Sequence, residues 1–132
     1  MLIAEASATT TGGGPRPASD RKAEIAEQLE EARGHTLKLI EPLTEEQLNR
    51  VYNPLLSPLI WDLGHTANFE ELWLVRRTGG REPLRGVLGE FYDAIEQPRK
   101  IRGELPILRA AEVTPYLEGV RERTLEVLDG LE

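Results

Sequence analysis

Cysteine is absent from the 132-residue chain. Disulfides, zinc–thiolate sites, iron–sulfur clusters and a cysteine nucleophile are excluded together. Histidine is scarce, with only His35 and His65. An excess of basic charge is missing too: the formal net charge is −7, and the acids are spread through the chain rather than run together. A nucleic-acid or anionic-membrane partner is therefore disfavoured, because phosphate binding needs a net basic face. No apolar run approaches the roughly 18–20 residues that span a bilayer. Met1–Ser19 lacks the basic and apolar blocks of a signal peptide. These absences point to a cytoplasmic protein.

What is present fits one globular domain. Hydrophobic residues make up 39% and charged residues 30% of the chain, enough for a core beneath a well-solvated surface. Residues 1–18 carry Thr9–Thr11, Gly12–Gly14, Pro15 and Pro17; with little to bury, they are expected to form a disordered leader. Residues 19–132 are expected to form the helical domain. Ser19 reads as the N-cap of a first helix, whose stripe of Ile25, Leu29, Ala32, Leu37 and Ile40 recurs at three- to five-residue steps before Pro42. Thr44 and Gln47 form a capping box for a short helix to about Arg50. Tyr52–Leu56 reads as an extended connection. Ser57-Pro58 reads as cap and first helical residue of a helix that runs to about Arg77 and stops at Gly79-Gly80. A short helix is expected around Val87–Ile95. Thr114-Pro115 repeats the cap-then-proline pattern for a last helix to about Leu128, burying Leu117, Val120, Leu125 and Leu128. Strand-type alternation is nearly absent, so the expected fold is an all-α, up-down bundle. Three long helices leave a groove where a fourth would pack, and wet apolar faces there are unfavourable by about 25 cal/mol per Å². That deficit predicts further chain or a partner.

The helix SPLIWDLGHTANFEELWLV holds the chemistry. His65 shares a face with Trp61 and Phe69, one turn to either side, with Gly64 beside it. An imidazole facing the inside of a bundle is either a metal ligand or a core histidine that finds a carbonyl partner; spacing leaves both open. Asp62, three residues earlier, could accept a hydrogen bond from the second ring nitrogen and fix its tautomer. Arg99 and Arg102, three apart in QPRKIRG, could converge on one carboxylate or form a solvated basic patch with Lys100. His35 lies off the apolar stripe, near the end of the first helix, and is given no role. Trp61, Phe69, Trp73 and Tyr92 read as core packing. Glu70 and Glu71 lack the Glu-x-x-His spacing of di-iron bundles and read as solvated.

The stretch YNPLLSPLIWDLGHTANFEELWL, with EFYDAIEQPRKIRGELPIL after it, resembles the DinB-like helical part of ergothioneine-type sulfoxide synthases. The likeness covers about residues 20–132, and its SP-x-x-WD-x-x-H core is fairly specific for that branch. The resemblance implies a DinB-like four-helix bundle, here reduced to about three long helices plus short connecting ones. It implies an enzyme that uses iron(II) and dioxygen to join γ-glutamylcysteine or cysteine to hercynine as a sulfoxide. It implies that His65 is the first of three iron-ligating histidines and that Arg99 and Arg102 grip the thiol substrate's carboxylate. The family's remaining two histidines belong to a His-x-x-x-His-x-Glu motif on a fourth helix, and its large formylglycine-generating-type domain completes the hercynine pocket. Neither occurs in these 132 residues. Iron(II) is therefore expected only in a complete enzyme, and this chain by itself is expected to be inactive. The alternative is a non-catalytic helical module that self-associates through its exposed groove or completes a partner's bundle.

Overall fold

The computed structural model describes residues 17–86 and 88–132, all helix and connection with no strand among them. The expected leader lies outside the described residues except at Pro17 and Ala18. Helix α1 spans Ala18–Ile40. Its N-cap is Pro17 rather than Ser19: the Pro17 carbonyl takes the amides of Asp20 and Arg21 at 3.1 and 3.2 Å. Proline's fixed φ allows the chain to enter the helix two residues earlier than a hydroxyl cap at Ser19 predicts.

Helix α2, Glu45–Asn49, begins at the expected capping box: Gln47 donates its amide to Thr44 Oγ1 at 3.1 Å, and Thr44 donates its own to Gln47 Oε1 at 2.9 Å. The connection after it is a turn, not an extended run. Asn53 accepts the Leu55 amide on its side chain and the Leu56 amide on its carbonyl, both at 2.8 Å.

Helix α3 spans Leu59–Glu70 and continues as a π-helix over Glu71–Thr78. Pro58, not Ser57, is its N-cap, and the Ser57 hydroxyl is taken by a distant side chain described below. The helix stops at Gly79-Gly80 as expected, with Gly80 at φ 66°, a left-handed conformation that glycine adopts without strain. After α4, Leu88–Phe91, a 3-10 helix runs over Arg99–Glu104. The last helix, α5, spans Ala110–Gly130 and starts four residues before the Thr114-Pro115 signal. Glu112 caps the Arg109 amide at 3.0 Å, and the Arg109 carbonyl takes the amides of Glu112 and Val113. Pro115 then lies inside the helix on its exposed side, where water can serve the carbonyl it leaves unpaired.

The core is the α3–α5 pair. Ile60, Leu63, Ala67 and Val75 from α3 meet Val113, Tyr116, Leu117 and Val120 from α5, closed off by Leu88, Tyr92, Ile107 and Leu108 from the connection. Each fully buried aliphatic side chain contributes roughly 1.5–3 kcal/mol. Leu125 and Leu128 are only half-buried. Helix α1 departs furthest from expectation, with no buried residue and with Ile25 44% exposed. Polar grips hold it instead, centred on Glu70. That carboxylate accepts from Arg33 Nη2, Arg121 Nε and Nη2, and Thr124 Oγ1, at 2.7–3.3 Å. Arg121 also donates to the Leu29 carbonyl and to Glu30, tying α1 to α5. Glu71 is buried as well; it accepts the Tyr116 hydroxyl at 2.7 Å and the Leu84 amide. Both acids read as solvated from sequence are thus interior, because donors from α1, α5 and the Leu84 segment surround them. No helix among the described residues is long and apolar enough to cross a membrane.

Candidate functional site

Helix α3 carries an aromatic ladder at four-residue steps. The rings of Trp61 and His65 stack at 4.7 Å and 11°, Phe69 follows at 6.2 Å, and Trp73 lies 6.1 Å beyond it. Only the top of the ladder is interior: Trp61 is buried and His65 half-buried, whereas Phe69 is 56% and Trp73 44% exposed. The expectation that all four aromatics, Tyr92 included, pack in the core therefore holds for Trp61 and Tyr92 alone. The opposite side of α3 is what packs on α5, so the ladder faces away from the core partner.

Two consecutive backbone carbonyls fix the upper rungs. Trp61 Nε1 donates to the Phe91 carbonyl at 2.9 Å, and His65 Nδ1 lies 2.7 Å from the Tyr92 carbonyl. A carbonyl can only accept, so the contact places the proton of the neutral ring on Nδ1 and leaves Nε2 with its lone pair. The partner expected to set the tautomer was Asp62; the Tyr92 carbonyl occupies that place. Gly64 makes the approach possible, since a Cβ there would lie 2.3 Å from the Tyr92 ring. Tyr92 is held from its far end too: its hydroxyl accepts the Leu108 amide at 3.0 Å, and burial pushes its pKa up, keeping the phenol neutral.

Beside these rings opens a cleft of about 880 Å³, lined by Tyr52, Leu56, Leu59, Trp61, Asp62, His65, Arg99 and Arg102 among others. All four sequence-predicted site residues meet here, although they come from two segments more than thirty positions apart. Their circumstances differ. Arg102 is buried and largely engaged by the protein. Its Nε donates to the Gln97 carbonyl at 2.8 Å, Nη1 to the Ser57 hydroxyl at 2.9 Å and Nη2 to the Ala94 carbonyl at 2.9 Å, while the guanidinium sits 4.0 Å over the Trp61 ring. Burial and then Arg99 push its pKa down, without bringing a guanidinium near deprotonation. Arg99 is exposed at the cleft and makes no hydrogen bond or ion pair among the described residues. The symmetric pair suggested by the spacing is therefore one structural arginine and one available arginine. Asp62 is half-buried; burial raises its pKa, opposed by the positive fields of Arg102, His65 and Arg99.

A second groove of about 680 Å³ lies between α1 and α5 around Glu30, Arg33 and Arg121. Its two arginines are taken up in ion pairs, Arg33 with Glu70 and Arg121 with Glu30 and Glu70. Among the described residues no three His, Cys, Asp or Glu side chains are grouped to hold a metal. His65 offers one well-oriented nitrogen and no more, and the donor set of this chain does not fit a complete iron site.

The family model described as the DinB superfamily matches residues 28–132. The chain belongs to the DinB superfamily. This DinB chain is similar to the hercynine oxygenase of Mycolicibacterium thermoresistibile, 42% identical over 112 residues that cover 83% of the chain and 25% of that protein. It is similar to that of Mycolicibacterium smegmatis, at 41% over 109 residues, covering 81% and 25%. For the Mycobacterium tuberculosis protein of the same name, identity is 39% over 110 residues, covering 82% and 26%. The chain thus spans about a quarter of the length of the curated relatives it matches. The all-α fold and the DinB resemblance read from the sequence both hold.

Two site features escaped sequence reasoning: which carbonyl partners His65, that of Tyr92, and the inward engagement of Arg102. Gly64 next to the histidine was the one local signal of a close approach.

Proposed function

We propose that this DinB chain is part of an iron(II)- and dioxygen-dependent sulfoxide synthase that joins γ-glutamylcysteine or cysteine to hercynine in the cytoplasm, and that it contributes one iron ligand and one wall of the thiol site. The observation that carries this reading is the His65 ring: Nδ1 is tied to a backbone carbonyl, and Nε2 keeps its lone pair beside a cleft where the Arg99 guanidinium is available. The shared name of its relatives, hercynine oxygenase, supports both the oxygenase class and the acceptor.

Iron(II), when bound, supplies the one-electron chemistry that dioxygen requires. Everything else is done by the chain's own groups. The Tyr92 carbonyl holds the imidazole of His65 in one tautomer and one orientation. Stacked Trp61 and the aliphatic cleft wall keep water from one side of that ring. Arg99 anchors a substrate carboxylate, with the spare N–H groups of Arg102 behind it. On this reading two further ligands come from another segment or another chain, and these 132 residues alone are inactive.

The test is to supply the remaining three-quarters of a relative in trans and to measure iron(II) retention and sulfoxide product. Product with the native chain and its loss with His65→Ala is the expected result; equal product with and without the histidine would sink the assignment.

The exposed rungs Phe69 and Trp73 favour a second reading, a non-catalytic module covered by a second copy or a partner. Sedimentation velocity over a hundredfold concentration range distinguishes it, since a uniform monomer rules out self-association.

A further inference from the structure

Asp62 has no assigned role once the Tyr92 carbonyl is seen to hold His65. Its carboxylate lines the cleft, is half-buried, and makes no hydrogen bond or ion pair among the described residues. The other shielded acids of the fold behave differently. Glu70 is saturated by Arg33, Arg121 and Thr124, and Glu71 by Tyr116 and the Leu84 amide. At half-burial its oxygens still reach water, so the Asp62 carboxylate is open to a donor that a ligand could bring. The nearby cations do not close on it: Arg102 spends its Nε and one N–H from each terminal nitrogen on Gln97, Ser57 and Ala94. Arg99 stays available at the same cleft. The cleft therefore presents a negative and a positive group, neither closed on the other, together with the His65 imidazole.

We propose that Asp62 is a ligand-contacting residue that takes the ammonium group of the molecule whose carboxylate Arg99 anchors, so that the cleft reads a zwitterion rather than a simple anion. A charge-assisted N–H···O⁻ bond would replace water at the carboxylate, and a carboxylate and a guanidinium in one cleft would orient an amino-acid-type ligand. The proposal rests on the reading of this cleft as the thiol-substrate site. It adds the residue that would select for a free amine. An acid in the first turn of α3 is also favoured by the helix dipole, which accounts for its tolerance there but not for its place at the cleft beside Arg99.

The experiment is calorimetric titration of the 132-residue chain with reduced γ-glutamylcysteine and with its N-acetyl derivative, which keeps the carboxylates and removes the ammonium. Wild type, Asp62→Asn and Arg99→Gln are compared, with circular dichroism to show that both variants keep the fold. The native chain should bind the free-amine peptide about tenfold more tightly than the acetylated one, the ratio a modest charge-assisted hydrogen bond supports. Asp62→Asn should remove that ratio by weakening only the free-amine peptide. Arg99→Gln should weaken both peptides alike. A ratio that persists in Asp62→Asn overturns the proposal while leaving Arg99 as an anchor. A ratio abolished by Asp62→Asn, with no effect of Arg99→Gln, supports Asp62 and overturns the carboxylate anchor. No binding of either peptide by the native chain at millimolar concentration overturns both.

Discussion

The position next to the histidine is the most constrained in the site. At Gly64 a methyl group would overlap the Tyr92 ring, which is itself pinned by the Leu108 amide. Gly64→Ala should therefore cost about 1–3 kcal/mol of stability, the usual range for overpacking, as measured by denaturant unfolding. The two arginines should separate just as clearly. Arg102→Ala orphans the Ser57 hydroxyl and two carbonyls and uncovers Trp61, and a loss of about 2–4 kcal/mol is expected. Arg99→Ala removes an exposed side chain without partners and should stay within about 0.5 kcal/mol. Asp62 gives a pH signature. Its folded pKa is raised by burial, so the fold binds the proton more tightly than the unfolded chain does. That contribution is fully present below the unfolded value near 3.8 and is lost as pH rises through the folded pKa. Asp62→Asn should then be slightly more stable than the native chain at neutral pH, and the gain should vanish in acid. The effect is small because water screens a half-exposed group. Thermal melts at pH 3 and pH 7 check the sign.

Among the helices, local signals were readable where local partners decide. Thr44 and Gln47 satisfy each other across three residues, and the box appears as expected. Gly79-Gly80 stops α3 for the same reason. The failures share one cause, a partner distant in sequence. Ser57 does not cap α3 because Arg102, 45 residues later, takes its hydroxyl. Glu70 and Glu71 do not face water because donors from α1 and α5 reach them. Helix α1 shows the effect at full length: its stripe was visible, yet the fold grips its polar side. Glu70→Gln removes the charge that Arg33 and Arg121 share, leaving both guanidinia shielded at 14% and 10% side-chain exposure. A loss of about 3 kcal/mol is expected. Hydrogen exchange should show α1 opening first, ahead of α3 and α5, in the native chain and further ahead in the variant.

For the molecule as a whole, the all-α class was legible in the sequence from periodicity and from the family likeness, whereas the α3–α5 pair as the core was not. Neither was the surface. Phe69 and Trp73 were read as core, but the side of α3 that buries Ile60, Ala67 and Val75 leaves them outside. Scattered apolar residues are ordinary on a surface, whereas two adjacent aromatic rungs continuing from a cleft form a patch. Replacing both, Phe69→Ser with Trp73→Ser, should change folding stability by less than about 1 kcal/mol. The same pair should clearly reduce binding of a hydrophobic dye, read by fluorescence. A large loss of stability instead would mean that the rungs are covered in solution.

The hold on Trp61 and His65 is made by the carbonyls of Phe91 and Tyr92, which every amino acid possesses. No exchange of side chain at either position can delete the acceptor itself. Random mutagenesis should accordingly find few single substitutions at 91 that free the Trp61 indole, and those at 92 should free the His65 imidazole only by displacing the loop. An orientation stored in main chain is inherited through sequence drift that would erase one stored in a side chain such as Asp62. Homologous proteins that keep the glycine at 64 can thus vary a side chain such as that at 62 and still present the same nitrogen to the cleft.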